Sequence, residues 1–407
     1  MTAIATVLAD LEAHRGWLED LYVDFHRHPE LSSAETRTAG VIRDQLGGFG
    51  YEVHDIGGGV VGVLARGQGP TVLMRADIDG LPVVERTGLD YASTATSTDP
   101  DGDTVGVMHA CGHDVHITAL LGAARLLAEA PEDTWRGTFI ALFQPAEETA
   151  AGAAAMVEDG LVGKIPRPDV ALGQHVMPAP AGRVGTLAGP AMSAADSIKV
   201  TLHGTGSHGS MPQLSVDPVL LAANVVQRLQ AIVSRELAPD DFGVVTVGAL
   251  NAGTKSNIIP AFATLRINTR AYSKKVRSRL LSSIERIVHA ECEAARSPEP
   301  PEFEYYDQFP LTDNDAEVTD LVTTAFRRHF GEDRVMAPNR LSGSEDFSRI
   351  PDAFGTPYTY WLLGGFTEDA ERVPNHSPFF APVPHPTLTT GVEAIVVAGL
   401  AYLAPEE

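Results

Sequence analysis

The chain has 407 residues, 44% of them hydrophobic, and a formal net charge of -23 at pH 7. This length exceeds what one hydrophobic core usually serves, so it predicts two domains or one domain with a large insertion. The acidic excess repels phosphate backbones and anionic lipids, and no run of 18 apolar residues occurs, so neither a nucleic-acid nor a membrane partner is expected.

The first half of the chain alternates between helical and extended patterns. Apolar residues at helical spacing predict helices over residues 2–24, 33–47 and 115–130. The runs VVGVLA, TVLMRAD, TFIALFQ and PDVALGQHV are rich in β-branched and other apolar residues and predict strands. Strands that alternate with helices predict an α/β layer architecture with a mostly parallel sheet.

The pattern changes over residues 184–298. SIKVTLHG, VVTVGAL and ATLRINTRAY predict strands, and the segments that begin DPVLL and SKKVR predict two long amphipathic helices. The proline-rich stretch SPEPPEF follows. We therefore predict an inserted α+β domain at 184–298, which leaves residues 1–183 and 299–407 as one discontinuous domain.

Side chains that can bind metals cluster in loops near the predicted strand ends. In open α/β sheets the functional crevice lies beyond the carboxyl ends of the strands. Thiolate, imidazole and carboxylate groups are the ordinary ligands of zinc and related divalent metals. The candidates are Asp77 and Asp79 in MRADIDGLP, Cys111 and His113 in HACGHD, Glu147 and Glu148 in QPAEE, His175 in GQHV and His376 in NHSP.

These candidates are too many for one structural zinc ion. They suit two metal ions roughly 3.5–4 Å apart that share a ligand and a water. Glu147 and Glu148 would point to opposite faces of a strand, but Pro145 ends the strand before them and leaves both on a turn. One glutamate can then bind metal while the other acts as a general base.

Several short motifs follow one another in a fixed order along the chain. HPELSSAET, RADIDGLP, HACGHDVH, QPAEE, GQH, SHGSMPQLSVDP, GSEDF and NHSP follow one another between about residues 22 and 400. In this respect the chain resembles the amidohydrolase branch of the aminoacylase- and carboxypeptidase-type co-catalytic metallopeptidases. That branch includes hippurate hydrolases, indole-3-acetyl-amino acid hydrolases and N-acetyl-diaminopimelate deacetylases.

The resemblance implies a zinc-peptidase-like catalytic domain with a mostly parallel mixed sheet, and an insertion that serves as lid and dimerisation domain. It implies an enzyme that hydrolyses the amide bond of N-acyl amino acids and works as a homodimer. It also implies that two divalent ions are bound, with manganese or zinc favoured and cobalt or nickel alternatives. The implied metal ligands are Cys111, His113, Glu148, His175 and His376.

The resemblance also assigns the other roles. Glu147 is the implied general base, and His208 of the SHG stretch reaches the partner subunit's active site to polarise the scissile carbonyl. Asn257 and Arg270 are candidates for binding the substrate carboxylate.

Four residues are expected to orient the ligand side chains without binding metal themselves. Ligating imidazoles usually donate their second N–H to a carboxylate, so Asp77 and Asp79 are expected to orient ligand histidines rather than bind metal. His109 and Asp114 flank the ligands in HACGHD and are given the same supporting role.

Other patterns have simpler interpretations. Cys292 lies in a helical run and is expected to be a buried small apolar residue. With two cysteines there is no disulfide framework, and the N-terminus lacks a secretory pattern, so we expect a cytoplasmic protein. GTGSHG fits a dinucleotide-binding pattern, but Pro212 interrupts the helix that should follow, so a dinucleotide site is not predicted. A serine hydrolase is disfavoured because no G-x-S-x-G motif is present.

Two other functions remain open from the sequence. One is a dipeptidase or carboxypeptidase that acts on unblocked peptides; the cysteine-containing cluster favours the amidohydrolase. The other is a non-catalytic binding protein of the same fold, which would be expected to have lost a ligand or the base.

Overall fold

The computed structural model describes residues 2–99, 102–369 and 372–404. The helices are α1 (Ala3–Val7), α2 (Arg15–Arg27), α3 (Thr36–Gly48), α4 (His113–Glu129), α5 (Gly152–Glu158), α6 (Leu161–Lys164), α7 (Pro218–Ala231), α8 (Lys274–Ala295), α9 (Ala316–Phe330), α10 (Arg349–Phe354) and α11 (Pro384–Leu403). The strands are β1 (Glu52–Ile56), β2 (Gly59–Arg66), β3 (Thr71–Asp77), β4 (Thr96–Thr98), β5 (Thr104–Gly106), β6 (Gly137–Gln144), β7 (Val170–Pro180), β8 (Val184–Gly185), β9 (Gly189–Met192), β10 (Ala194–His203), β11 (Ser207–His208), β12 (Gly243–Ala252), β13 (Ile258–Ile259), β14 (Phe262–Ala271), β15 (Glu302–Phe309), β16 (Thr312–Asn314), β17 (Val335–Met336) and β18 (Tyr358–Phe366).

The chain divides into two compact units. The first comprises Met1–Ala191, Asp313–Asn339 and Asp346–Glu407, and the second comprises Met192–Thr312 and Arg340–Glu345. Both units are thus discontinuous, and the two segments of the second are inserted between the three segments of the first.

The bounds of the inserted unit differ from the predicted 184–298. Strand β15, which begins at the end of SPEPPEF, pairs antiparallel with β10, so this segment belongs to the inserted unit's sheet. Residues 184–191 belong to the first unit instead, where β8 pairs with β17 and β18. These pairings are made between segments far apart in sequence, and local patterns do not reveal them.

The first unit is built on an eight-stranded mixed sheet in the order β1-β2-β6-β3-β7-β18-β8-β17. Strand β3 runs parallel to both β6 and β7, and β7 runs parallel to β18. This confirms the predicted α/β class with a mostly parallel sheet. Asp77 pairs with Gln144 and Arg75 with Gly173, so the ends of β3 and β6 are level with each other and lie near His175 of β7, which continues to Pro180.

The core of the first unit lies between this sheet and its helices. Helix α4 packs against α11, and both contact β3 and β7. By length and composition α11 could cross a membrane, but 72% of its most apolar window is buried inside the protein, as for a core helix. The helix predicted over 2–24 is interrupted by turns at residues 8–14, and Val7 and Leu18 on either side of the turns both reach this core.

The second unit is α+β, with its own core. Its antiparallel sheet has the order β12-β14-β10-β15, and α7 and α8 pack against it. Alternate residues of β10, namely Ile198, Val200 and Leu202, are buried against these helices, as a sheet covered on one face requires. A separate ladder pairs β11 with β13.

Candidate metal centre

The loop before α4 carries Cys111 and Gly112, and His113 is the first residue of the helix. Gly112 has a φ of 80°, a left-handed conformation that glycine adopts without strain. A Cβ on this residue would lie 2.3 Å from Val176 Cγ1. The glycine therefore permits the close approach that brings Cys111 to β7.

His175 on β7 faces the thiol of Cys111. The Cys111 Sγ and His175 Nε2 atoms are 3.4 Å apart, and His175 Nδ1 donates to the carbonyl oxygen of Val176 at 2.8 Å. That hydrogen bond leaves the Nε2 lone pair directed at Cys111. Burial holds the pKa of His175 well below its usual range, so the imidazole is neutral, as a metal ligand must be.

His113 and Glu148 direct unsatisfied polar atoms at each other. His113 Nδ1 contacts the carbonyl oxygen and the carboxylate of Asp79 at 2.8 and 3.1 Å. His113 Nε2 lies 3.8 Å from Glu148 Oε1, and both atoms are buried with no hydrogen-bond partner in the described parts of the chain. Two such orphaned atoms are costly unless a further group satisfies them.

His376 completes the group from a loop of the first unit. Its backbone N–H donates to Ala110 O at 2.8 Å, and its Nε2 lies 3.3 Å from Glu148 Oε2. The hydrogen bond to Glu148 raises the pKa of His376 despite the opposing effect of burial. About half of the His376 side chain is exposed, so this edge of the cluster is open to solvent.

The cluster fits divalent metal ions by its donor chemistry. The ligand atoms of Cys111, His113 and His175 all lie within 4.8 Å of one another, as do those of Cys111, Glu148 and His376. The two groups share Cys111, and a set of sulfur, nitrogen and oxygen donors suits divalent transition-metal ions. Burial, reinforced by nearby carboxylates, raises the pKa of the Cys111 thiol well above its usual range, so a bound ion has to displace its proton.

Glu147 lies on the turn that follows β6. The strand ends at Gln144, directly before Pro145. An oxygen of buried Glu147 lies within 4.8 Å of ligand atoms of both His113 and Glu148. Both glutamates therefore reach the same cluster from a turn, as the sequence predicted.

Asp79 and Asp77 play different parts. Asp79 receives the Nδ1 hydrogen of His113 directly, in the predicted way. Asp77 hydrogen-bonds to His116 Nδ1, and His116 Nε2 accepts the backbone N–H of Val176 at 2.8 Å, beside His175. Burial alone would raise the pKa of Asp77, but His113, His116 and Arg75 hold it well below its usual range.

His109 and Asp114 do not hydrogen-bond to the candidate ligands, contrary to the role predicted for them. Asp114 receives the Nδ1 hydrogen of His26 at 2.7 Å, because successive helical side chains point about 100° apart and Asp114 faces away from His113. His26 also contacts Glu85, and although burial opposes it, the two carboxylates raise the pKa of His26 to about 9. Both ring nitrogens of His109 are buried without a partner among the described residues, and burial lowers its pKa to about 4.

The remaining predicted residues lie in the second unit. His208 on β11 is exposed, with Nδ1 2.8 Å from Ser210 Oγ, and the backbone of Asn257 accepts the N–H of Gly209. Asn257 precedes the start of β14, whereas Arg270 lies near the end of that strand, where it donates to Ser344 Oγ at 2.7 Å. Within one chain Asn257 and Arg270 are therefore far apart and do not form a single carboxylate site.

Residues outside the predicted set also support the cluster. Asn375 Nδ2 lies 3.6 Å from Cys111 Sγ, and its place beside His376 in NHSP was an available signal. Arg75 donates to Asp77 Oδ2 at 2.7 Å, and a lone arginine in the apolar run TVLMRAD indicates a buried ion pair. Glu35, in HPELSSAET, accepts a hydrogen bond from Ala146 N, and only its place in a family motif pointed to it.

The mixed sheet and the cluster of sulfur, nitrogen and oxygen donors near its strand ends are those of a metal-dependent hydrolase. Residues 73–398 match peptidase family M20/M25/M40. The chain belongs to this family, which confirms the resemblance found in the sequence, and it is a metal-dependent amidohydrolase or peptidase.

Several relatives match over most of the chain. A hippurate hydrolase of Campylobacter jejuni is 37% identical and covers 82% of this chain and 84% of its own. An N-acetyl-L-cysteine deacetylase of Bacillus subtilis is 35% identical over 86% of this chain and 82% of its own. Thermostable carboxypeptidase 1 of Saccharolobus solfataricus is 33% identical over 93% of this chain and 94% of its own. The crystal structure of a dinuclear metal-binding M20 peptidase from Bacillus subtilis aligns with a TM-score of 0.77 at 28% identity, over 96% of this chain and 98% of its own.

Proposed function

We propose that the protein hydrolyses the amide bond of N-acyl amino acids and releases a carboxylic acid and an amino acid. The cluster of buried ligand atoms around Cys111, with Glu147 beside it, carries this proposal. Relatives named as a hippurate hydrolase and an N-acetyl-L-cysteine deacetylase support it.

The proposed ligands are Cys111, His113, Glu148, His175 and His376, which would hold two divalent ions, with manganese or zinc favoured and cobalt or nickel alternatives. When bound, such ions acidify a water and polarise an amide carbonyl. His175 is already neutral and oriented for this role by its hydrogen bond to Val176. Asp79 holds His113 with Nε2 facing Glu148.

Glu147 is the proposed proton carrier. Its carboxylate would take a proton from the attacking water and then deliver that proton to the leaving amine nitrogen. Its buried position on the turn shields the proton from bulk solvent. Glu148, its neighbour on the turn, serves as ligand, so the two glutamates divide the tasks.

A homodimer is part of the proposal. His208 is exposed on the short strand β11 of the second unit, and its proposed role is to donate to the carbonyl oxygen of substrate bound by a second copy of the chain. Asn257 lies in the connection between β12 and β14, and Arg270 lies near the far end of β14, so they can bind one carboxylate together only if they come from different subunits.

Hydrolysis of unblocked peptides is the second candidate, since the thermostable carboxypeptidase 1 relative covers 93% of the chain. The test compares kcat/KM for hippurate and N-acetyl amino acids with kcat/KM for simple dipeptides, after loading with manganese or zinc. We expect the acylated substrates to be preferred by at least about tenfold, and chelator to abolish turnover until metal is restored. Equal or faster dipeptide hydrolysis contradicts the proposed substrate, and no turnover with any metal indicates a non-catalytic protein.

A further inference from the structure

The turn that bears Glu147 has an unfavourable backbone. Ala146 has a φ of 47° and Ala150 a φ of 54°, and both lie in the left-handed region that residues with a Cβ rarely adopt. The next residue but one, Gly152, packs so closely on Pro145 that it has no room for a side chain. A turn of this kind persists only where its surroundings hold it.

Hydrogen bonds from outside the turn supply that support. Internally, Ala150 N donates to Glu147 O at 2.8 Å. From outside, Asp79 Oδ2 accepts the N–H of Glu148 at 3.1 Å, and Asp346 Oδ2 accepts the N–H of Ala153 at 3.2 Å. At the start of the turn, Glu35 Oε1 accepts the N–H of Ala146 at 2.8 Å.

Glu35 stands directly before α3, yet its side chain does not cap that helix. Glu30 does so instead, because its carboxylate accepts the N–H groups of Arg37 and Thr38 at 3.0 and 2.8 Å. The Glu35 carboxylate is thereby left to reach the turn, and its residue is only 5% exposed. A buried carboxylate is costly, so a site that keeps one has a use for its hydrogen bonds.

We propose that Glu35 is a positioning residue, whose hydrogen bond from Ala146 N–H holds the turn so that the Glu147 carboxylate stays at the metal cluster. Glu35 does not touch the cluster itself and acts through the backbone of the turn. The proposal rests on the role of Glu147 proposed above.

Two conservative variants separate the reach of the side chain from its charge. Glu35→Gln keeps an oxygen acceptor at the same distance and removes the charge, whereas Glu35→Asp keeps the charge but withdraws the acceptor by about 1.5 Å. We expect Glu35→Gln to retain kcat within about threefold. We expect Glu35→Asp to lose about 10- to 100-fold in kcat, with KM and metal content nearly unchanged, because only the proton carrier is misplaced.

A second readout does not depend on turnover. Backbone amide exchange over residues 144–152 should be faster in Glu35→Asp than in the wild type, and unchanged in Glu35→Gln. The matched control is Glu30→Asp, which weakens the cap of α3 and should lower thermal stability without changing kcat per folded enzyme.

The proposal is overturned if Glu35→Asp has the amide exchange rates and the kcat of the wild type. It is also overturned if Glu35→Gln or Glu30→Asp loses as much kcat as Glu35→Asp. A different result would separate the two proposals: the wild type is inactive, its turn amides are protected from exchange, and Glu35→Asp removes that protection. This result would contradict the proposed function but support the anchoring role of Glu35.

Discussion

Cys111 is a buried thiol among carboxylates and imidazoles, and its environment distinguishes it from Cys292, the other cysteine. Cys292 lies in the apolar core of the second unit, where burial raises its pKa to about 11 and no metal-ligand group surrounds it among the described residues. Cys111 belongs to two overlapping ligand groups. The two thiols therefore provide a matched pair for testing metal binding.

Cys111→Ala should lower the metal content from about two ions per chain to one or fewer, because both ligand groups lose their shared donor. Cys292→Ala removes an equally buried thiol and should leave metal content unchanged. Elemental analysis of the purified, metal-loaded proteins measures both. Full metal content in Cys111→Ala would refute its role as a ligand.

Much of the residue-level site could be predicted from the sequence, because metal-binding chemistry needs particular side chains near strand ends. The cluster of Cys111, His113, Glu148, His175 and His376 was predicted and lies together. The supporting residues were harder to predict. The direction in which Asp114 points depends on its helical phase and on His26, which is 88 positions away in sequence.

Among the elements, the loop between β5 and α4 has a tight geometric requirement at one glycine. Gly112 combines a φ of 80° with a contact that excludes a Cβ. Gly88 has a similar φ of 78° but has nothing within 4 Å of where a Cβ would lie. Comparing the two separates backbone strain from close packing.

Gly112→Ala should lower the free energy of unfolding by at least about 2 kcal/mol and weaken metal binding, because the new Cβ pushes Cys111 away from His175. Gly88→Ala should cost only about 1 kcal/mol and leave metal affinity unchanged. Urea unfolding and metal titration measure the two quantities. Equal losses for both variants would show that the contact with Val176 has no special role.

The elements themselves were largely predictable, but their partners were not. Strand β6 ends before Pro145, and α4 covers the predicted helical run, because these signals are local. The bounds of the inserted unit were displaced because β15 joins β10 across about 100 residues of sequence. Such pairing depends on tertiary packing, which a pattern along the chain does not encode.

At the scale of the whole molecule, the chain combines a metal-binding α/β unit with an α+β unit that carries His208. Membership of peptidase family M20/M25/M40 joins these observations to metal-dependent hydrolysis. In the proposed mechanism, the Glu147 carboxylate moves the proton while other residues hold the metals.

Glu147→Gln tests the proposed proton transfer, because the amide preserves the size of the side chain but cannot take a proton from water. We predict that the variant keeps both metal ions and loses about 10²- to 10⁴-fold in kcat for an N-acyl amino acid. Metal content and kcat should be measured on the same preparation. Turnover within about tenfold of the wild type with metals bound, or the loss of a metal ion, would contradict the account.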